Sequence, residues 1–92
     1  MKALRTLKRK LGVPDFIVGQ DGERIRAGND VIVAKDDTAY GIGVVLHIEP
    51  AQQIAIVRLY PWLSPDWDGE VHTFPASWVS LDHEYMERKA LR

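Results

Sequence analysis

The sequence predicts an all-β fold: a small five-stranded β-barrel with a small N-terminal hairpin and a short helix at each end. Three observations carry that prediction. Runs of strand-forming residues recur at short intervals after residue 30, each closed by Gly, Pro or Asp. The longest, at 41–49, alternates apolar positions with others, the period of a half-buried strand. And 92 residues make one domain with a modest core.

Composition narrows the function classes. Apolar residues are 46% and charged residues 27%, ordinary for an ordered domain. There is no Cys, which removes disulfides, thiolate metal ligands and Cys nucleophiles and fits a cytoplasmic protein. No apolar run approaches the ~20 residues that span a bilayer, and no long apolar stretch follows the basic N-terminus as in a secretory signal. The net charge of −1 hides a split. Lys2, Arg5, Lys8, Arg9 and Lys10 give residues 1–11 a charge of +5, leaving seven bases against thirteen acids elsewhere, a net of −6. An acidic barrel is a poor phosphate binder, because neutralising phosphate needs Lys and Arg.

Residues 1–12 form a basic arm. Within it, 2–11 reads as a short amphipathic helix, with Leu4, Leu7 and Leu11 on one face, Gly12 as its stop and Pro14 beyond. So short a helix is marginal alone, and its leucines need a surface to dock on. Residues 13–82 are the barrel unit. It opens with a hairpin over 16–26 that turns at Gly19-Gln20-Asp21-Gly22. The barrel strands start at residue 30, with 30–35 the first and 36–38 an acidic loop.

In the strand at 41–49, alternation puts Ile42, Val44, Leu46 and Ile48 in the core, and Val45 and His47 outside. Residues 54–60 follow a turn at 50–52, with Ala55, Val57 and Leu59 inward and Ile54 and Ile56 outward. The outer patch of Val45, Ile54 and Ile56 then calls for a cover: the leucine face of the arm, the C-terminal segment or a second subunit. Residues 61–69 are a loop with two prolines and two tryptophans, 70–75 is a strand, 75–78 a single 3₁₀ turn and 79–81 a last short strand. Asp82 caps a C-terminal helix over 83–92, in which Glu84 and Arg88 pair at i, i+4. The expected core is Val31, Val33, Ile42, Val44, Leu46, Ile48, Val57, Leu59, Val71 and Val79.

This order of elements resembles the SH3-like barrel. Tyr40-Gly41-Ile42-Gly43-Val44-Val45-Leu46-His47-Ile48 is similar to the aromatic-Gly-x-Gly-x-Val strand of Tudor-like and KOW-type modules. Phe74-Pro75-Ala76-Ser77-Trp78-Val79 is similar to the apolar-Pro-Ser-Asn-Tyr-Val run of signalling SH3 domains. The resemblance implies a docking role. It points to Pro75 and Trp78 as groove residues and to Tyr40 as an aromatic contributor. The chain departs from SH3 domains in lacking their opening Ala-Leu-x-Asp-Tyr run, and Gln52-Gln53 stands where a groove tryptophan would start the next strand. Val71-His72-Thr73-Phe74-Pro75 also resembles the Val-Gln-Ile-Tyr-Pro strand of plasmid-type dihydrofolate reductases, whose pore is built from four subunits. His72 and Thr73 replace the two residues that would meet cofactor and substrate, so this likeness is one of fold.

The expected function is a non-catalytic protein-interaction or assembly module without cofactor. Trp62, Asp66, Trp67 and Asp68 in the loop, with Pro75, Trp78 and Tyr40, form the candidate partner-binding set. Aromatic faces beside carboxylates attract a Lys- or Arg-bearing protein partner. The alternative is a nucleic-acid-associated module that uses the basic arm. The three histidines lie on separate elements at spacings that give no converging metal set, so no metal site is expected.

Overall fold

The computed structural model describes residues 14–60 and 70–90. The arm helix expected at 2–11 and the loop at 61–69, with Trp62, Asp66, Trp67 and Asp68, lie outside the described residues.

Two sheets make up the described fold. The hairpin pairs β1 (Ile17–Val18) with β2 (Arg24–Ile25). The main sheet holds β3 (Asp30–Lys35), β4 (Thr38–Glu49), β5 (Ile54–Leu59), β6 (Val71–Pro75) and β7 (Val79–Leu81), all antiparallel, in the order β6-β5-β4-β3-β7. Its edges, β6 and β7, are joined by a 3₁₀ turn at Ala76–Trp78, and the hydrogen-bonded ladder does not close between them. Asp82 caps the helix His83–Ala90, accepting from the Tyr85 N–H at 3.1 Å, and Arg88 Nη2 bonds Glu84 Oε1 at 2.6 Å as the i, i+4 spacing predicts. No helix among the described residues is long and apolar enough to cross a membrane.

The acidic stretch after β3 is tighter than expected. Asp36 and Asp37 alone make the turn, and pairing resumes at Lys35 and Thr38. Two-residue hairpin turns that match strand twist require positive φ, which Asp36 adopts at 54°. Aspartate tolerates that region better than most residues.

The face of β4 differs from the alternation reading. Gly43 and Val45 point inward, Ile42 and Val44 are half-buried on the outer face, and Leu46 is 41% exposed. A register shift between Val45 and His47 makes Leu46 the extra residue, so Ile48 returns to the core opposite Ala55. A bulge inserts one residue and thereby inverts the face of everything beyond it. Of the expected core, Ile42, Val44, Leu46 and Val71 are therefore corrected, Val71 being 47% exposed opposite Arg58. Val31, Val33, Ile48, Val57, Leu59 and Val79 are buried as expected. The core gains Val45, Ala55, Phe74 and Ala76, and Ile17 and Ile25 from the hairpin. Gly43 is required by close approach: a Cβ there would sit 2.1 Å from the Arg58 carbonyl oxygen of β5.

Side-chain ties hold the hairpin and helix to the sheet. Gln20 Nε2 bonds Ser80 Oγ at 3.3 Å, and the Gln20 N–H donates to the Val79 carbonyl at 2.8 Å. His83 Nε2 lies 2.8 Å from both carboxylate oxygens of Glu23, and that hydrogen bond raises the imidazole pKa above its ordinary 6.5. Asp30 is a buried acid that accepts from the Tyr60 hydroxyl at 3.0 Å. Burial, then that bond, pushes the Tyr60 pKa up to about 12.

Two outcomes follow for stability. Val45→Asp places a carboxylate in the apolar core at a cost of several kcal/mol, comparable with the whole stability of a small domain. It is expected to abolish the cooperative thermal transition followed by circular dichroism, whereas Val44→Asp on the outer face keeps it. The second outcome concerns alkali. The folded chain holds the Tyr60 proton more tightly than the unfolded chain, whose phenol keeps the ordinary value of 10.0. Stability from this site is intact below pH 10 and is lost as pH rises toward 12. Urea melts of the parent should weaken across that window more steeply than those of Tyr60→Phe.

Candidate functional site

The candidate site is built where β4, β6 and the 3₁₀ turn meet. A second register shift, between Val33 and Ala34, leaves Tyr40 as the extra residue of β4. Gly41, next to it, takes φ 147°, which side-chain-bearing residues rarely adopt. The bulge turns Tyr40 from the outer face toward the core, where it packs against the buried cluster. On β6, alternation brings His72 and Phe74 to the inner face, opposite Val57 and Ala55. His72 is half-buried there.

The 3₁₀ turn supplies the remaining wall. Pro75 is its N-cap at φ −61° and ψ 145°, and the Ala76 N–H donates to the Gln53 carbonyl at 2.8 Å. That anchor presents Trp78 to Tyr40, with ring centroids 5.3 Å apart and planes 16° from parallel. Phe74 lies tilted against both, at 6.4 Å from Tyr40 and 6.3 Å from Trp78. The His72 ring is 6.2 Å from Phe74, and its Nε2 is 3.0 Å from Glu70 Oε2. Lys35 Nζ sits over the Trp78 ring at 5.0 Å from the centroid.

The structure thus brings together two of the predicted site residues, Tyr40 and Trp78, both half-buried. Pro75 is exposed and in register with Ile54, on the face opposite Phe74. The described residues that flank 61–69 are tied to the main sheet. The Tyr60 N–H donates to the Ile42 carbonyl at 2.9 Å, and the Glu70 carbonyl accepts from Leu59 at 3.2 Å. Sequence reasoning missed Lys35, His72 and Phe74. The i, i+2 spacing of His72 and Phe74 was a legible signal, because it puts two rings on one face of a strand.

Chemically, the site offers stacked π-faces, an ammonium already on one of them, and acids at the margin. Asp36 and Asp37 follow Lys35 in the turn between β3 and β4, Glu70 precedes β6, and all three are exposed. Cation–π contacts at such exposed sites are worth about 0.5–1 kcal/mol, so the internal Lys35 contact is exchangeable against an incoming cation. Among the described residues no three His, Asp or Glu side chains come together to hold a metal ion. No protein-family model, curated protein or solved structure matches this chain.

Gln53 holds the turn that presents Trp78. Besides its carbonyl bond to Ala76, its side chain accepts from the Val18 N–H at 3.1 Å and donates to the Pro50 carbonyl at 2.8 Å. Its φ is 52°, where a Cβ is strained. Gln53→Ala keeps that strain and loses both side-chain bonds, whereas Gln53→Gly loses the bonds and relieves the strain. Urea denaturation should rank the glycine variant above the alanine variant by about 1 kcal/mol, the reverse of the order these residues show in regular structure.

Proposed function

We propose that this chain is a non-catalytic protein-interaction or assembly module of SH3-like barrel architecture, docking its partner on the surface around Tyr40 and Trp78. The observation that carries the reading is the stacked Tyr40–Trp78 pair, half-open to solvent at the end of a rigid sheet. Rigid aromatic anchors carry most of the binding energy at interfaces. The strand order β6-β5-β4-β3-β7, with a 3₁₀ turn linking the two edge strands, supports the barrel architecture.

The partner is a protein segment bearing Lys or Arg. Asp36, Asp37 and Glu70 border the aromatic surface, and Asp66 and Asp68 add carboxylates in the adjoining sequence together with Trp62 and Trp67. The absence of Cys suits a reducing compartment, and we place the protein in the cytoplasm. A second reading rests on the charge split: the +5 arm engages nucleic acid while the acidic remainder does not.

A photo-crosslinking phenylalanine at Ser77, exposed on the 3₁₀ turn, tests the first reading in cells of the native host. Ser77 is expected to capture a protein that the same probe at Asp21, on the hairpin turn, does not. Capture should survive reversal of Lys8, Arg9 and Lys10 to Glu and change little with salt. Trp67→Ala should weaken binding of that protein by roughly 2 kcal/mol, the scale of an interfacial hot spot. Loss of all binding on charge reversal, with a steep fall in affinity as salt rises, would transfer the function to the arm.

A further inference from the structure

We propose that the open edge of β6 pairs with β6 of a second copy of this chain, antiparallel across a two-fold axis at His72. The inference is independent of what binds at Tyr40 and Trp78. It rests on which main-chain groups point out of the sheet, on how the opposite edge is covered, and on the residues that meet at the axis.

Hydrogen-bond parity fixes the open groups. At one end of the β5–β6 ladder the Leu59 N–H donates to the Glu70 carbonyl at 3.2 Å, and past the other end the Ala76 N–H donates to the Gln53 carbonyl at 2.8 Å. Between those bonds, His72 opposite Val57 and Phe74 opposite Ala55 are the pairs whose main-chain groups face β5. The N–H and carbonyl groups of Val71 and Thr73 therefore point away from the sheet. Among the described residues nothing bonds the main chain of Val71 or Thr73 on that side. Their side chains are exposed as well, Val71 at 47%.

The other edge is treated differently. At β7 the Gln20 N–H takes the Val79 carbonyl at 2.8 Å, and Gln20 Nε2 bonds Ser80 Oγ at 3.3 Å, so the hairpin lies over that edge. Edge strands are commonly blunted by charged side chains, above all Lys. Val71–Pro75 reads V-H-T-F-P and carries no Lys, Arg, Asp or Glu. One edge is thus closed by the chain itself and the other is left without the usual guard. Pairing β6 with β6 uses the open edge of both copies, so the assembly stops at a closed dimer.

The edge is complementary to itself. With Val71 opposite Thr73 of the second copy, each N–H of the two residues meets a carbonyl, giving four main-chain bonds across the axis. A register one residue further, centred on Thr73, sets the Val71 carbonyl against Pro75, which has no N–H to give. The chosen register also places β-branched Val71 beside Thr73 twice on the outer face, a favourable cross-strand pair. His72 meets His72 at the axis, and each brings its own acid, with Glu70 Oε2 3.0 Å from Nε2. So short an edge buries less than the roughly 1,200–2,000 Å² of stable complexes. The dimer is therefore weak and forms reversibly as concentration rises.

Dilution of the full, isotope-labelled chain tests this by NMR. Between about 1 mM, the scale of a weak complex, and a fiftyfold dilution, the Val71 and Thr73 amides are expected to shift most, and those of His72 and Phe74, already bonded to β5, to shift less. Sedimentation equilibrium over the same range should show the mass rising from 10.4 kDa toward twice that value. Thr73→Pro removes two of the four bonds and spares the β5 ladder, because proline is accepted where the N–H points outward from an edge. It should hold the single-chain mass throughout with an unchanged β circular dichroism signal. A constant mass in the parent, or concentration-dependent shifts centred on Leu46 or Trp78 in place of β6, would overturn the proposal. So would a natively folded Thr73→Pro variant that dimerised as the parent does. The parity of the parent's shifts decides the matter even where the proline variant does not fold.

Discussion

The fold depends on how one twelve-residue strand, β4, keeps its pairing with two neighbours at once. β4 pairs with β3 over its first half and with β5 over its second, and each ladder contains one register break. The breaks fall at Tyr40 and at Leu46, on either side of Gly43, where β4 and β5 approach too closely for any Cβ. A long strand in a twisted sheet cannot hold one face toward a small core along its whole length, and bulges supply the added bend and twist. The first break re-aims Tyr40 into the aromatic cluster. The second puts Leu46 into solvent and Ile48 into the core. The aromatic cluster and the exposed Leu46 are both consequences of the path of this one strand.

Polar groups do the joining that so small a core leaves undone. Gln53 ties the hairpin, the β4–β5 turn and the 3₁₀ turn through bonds from a single residue in the left-handed region. Asp30 is buried at the start of β3, where its side chain meets Tyr60 and its carbonyl accepts from the Asp82 N–H at 2.9 Å. Breaking a buried, charge-assisted contact of this type leaves a desolvated carboxylate, so its effect is larger than its share of the hydrogen bonds. The exposed His83–Glu23 pair, screened by solvent, acts more on the placement of the C-terminal helix than on overall stability.

The aromatic cluster shows how an aromatic surface can be made rigid at little entropic cost. Tyr40 and Trp78 are each packed against the core on one side and stacked on each other, so their rotamers are set by the fold itself. Lys35 lies on Trp78 from the neighbouring strand and keeps that π-face from water. The two ends of the cluster are fixed by different elements: Tyr40 by a bulge in β4, Trp78 by the carbonyl of Gln53 acting through Ala76.

Local chemistry by itself determined most elements here. The β-rich class, the strand at 30–35, the strand at 79–81, the turn after Pro75 and the Asp82 cap with its Glu84–Arg88 pair follow from turn residues, proline geometry and i, i+4 spacing, all of which act within a few residues. The meeting of Tyr40 with Trp78 was half legible, since the motifs that carry them resemble binding strands while nothing local places one against the other. What only the tertiary structure decided is the face of β4 and the membership of the core. Ile42, Val44, Val45, Leu46 and Ile48 are all apolar, so the one-residue slip at Leu46 leaves no mark in the hydrophobic pattern. Pairing to β3 and β5, with the contact at Gly43, selects which of them point inward.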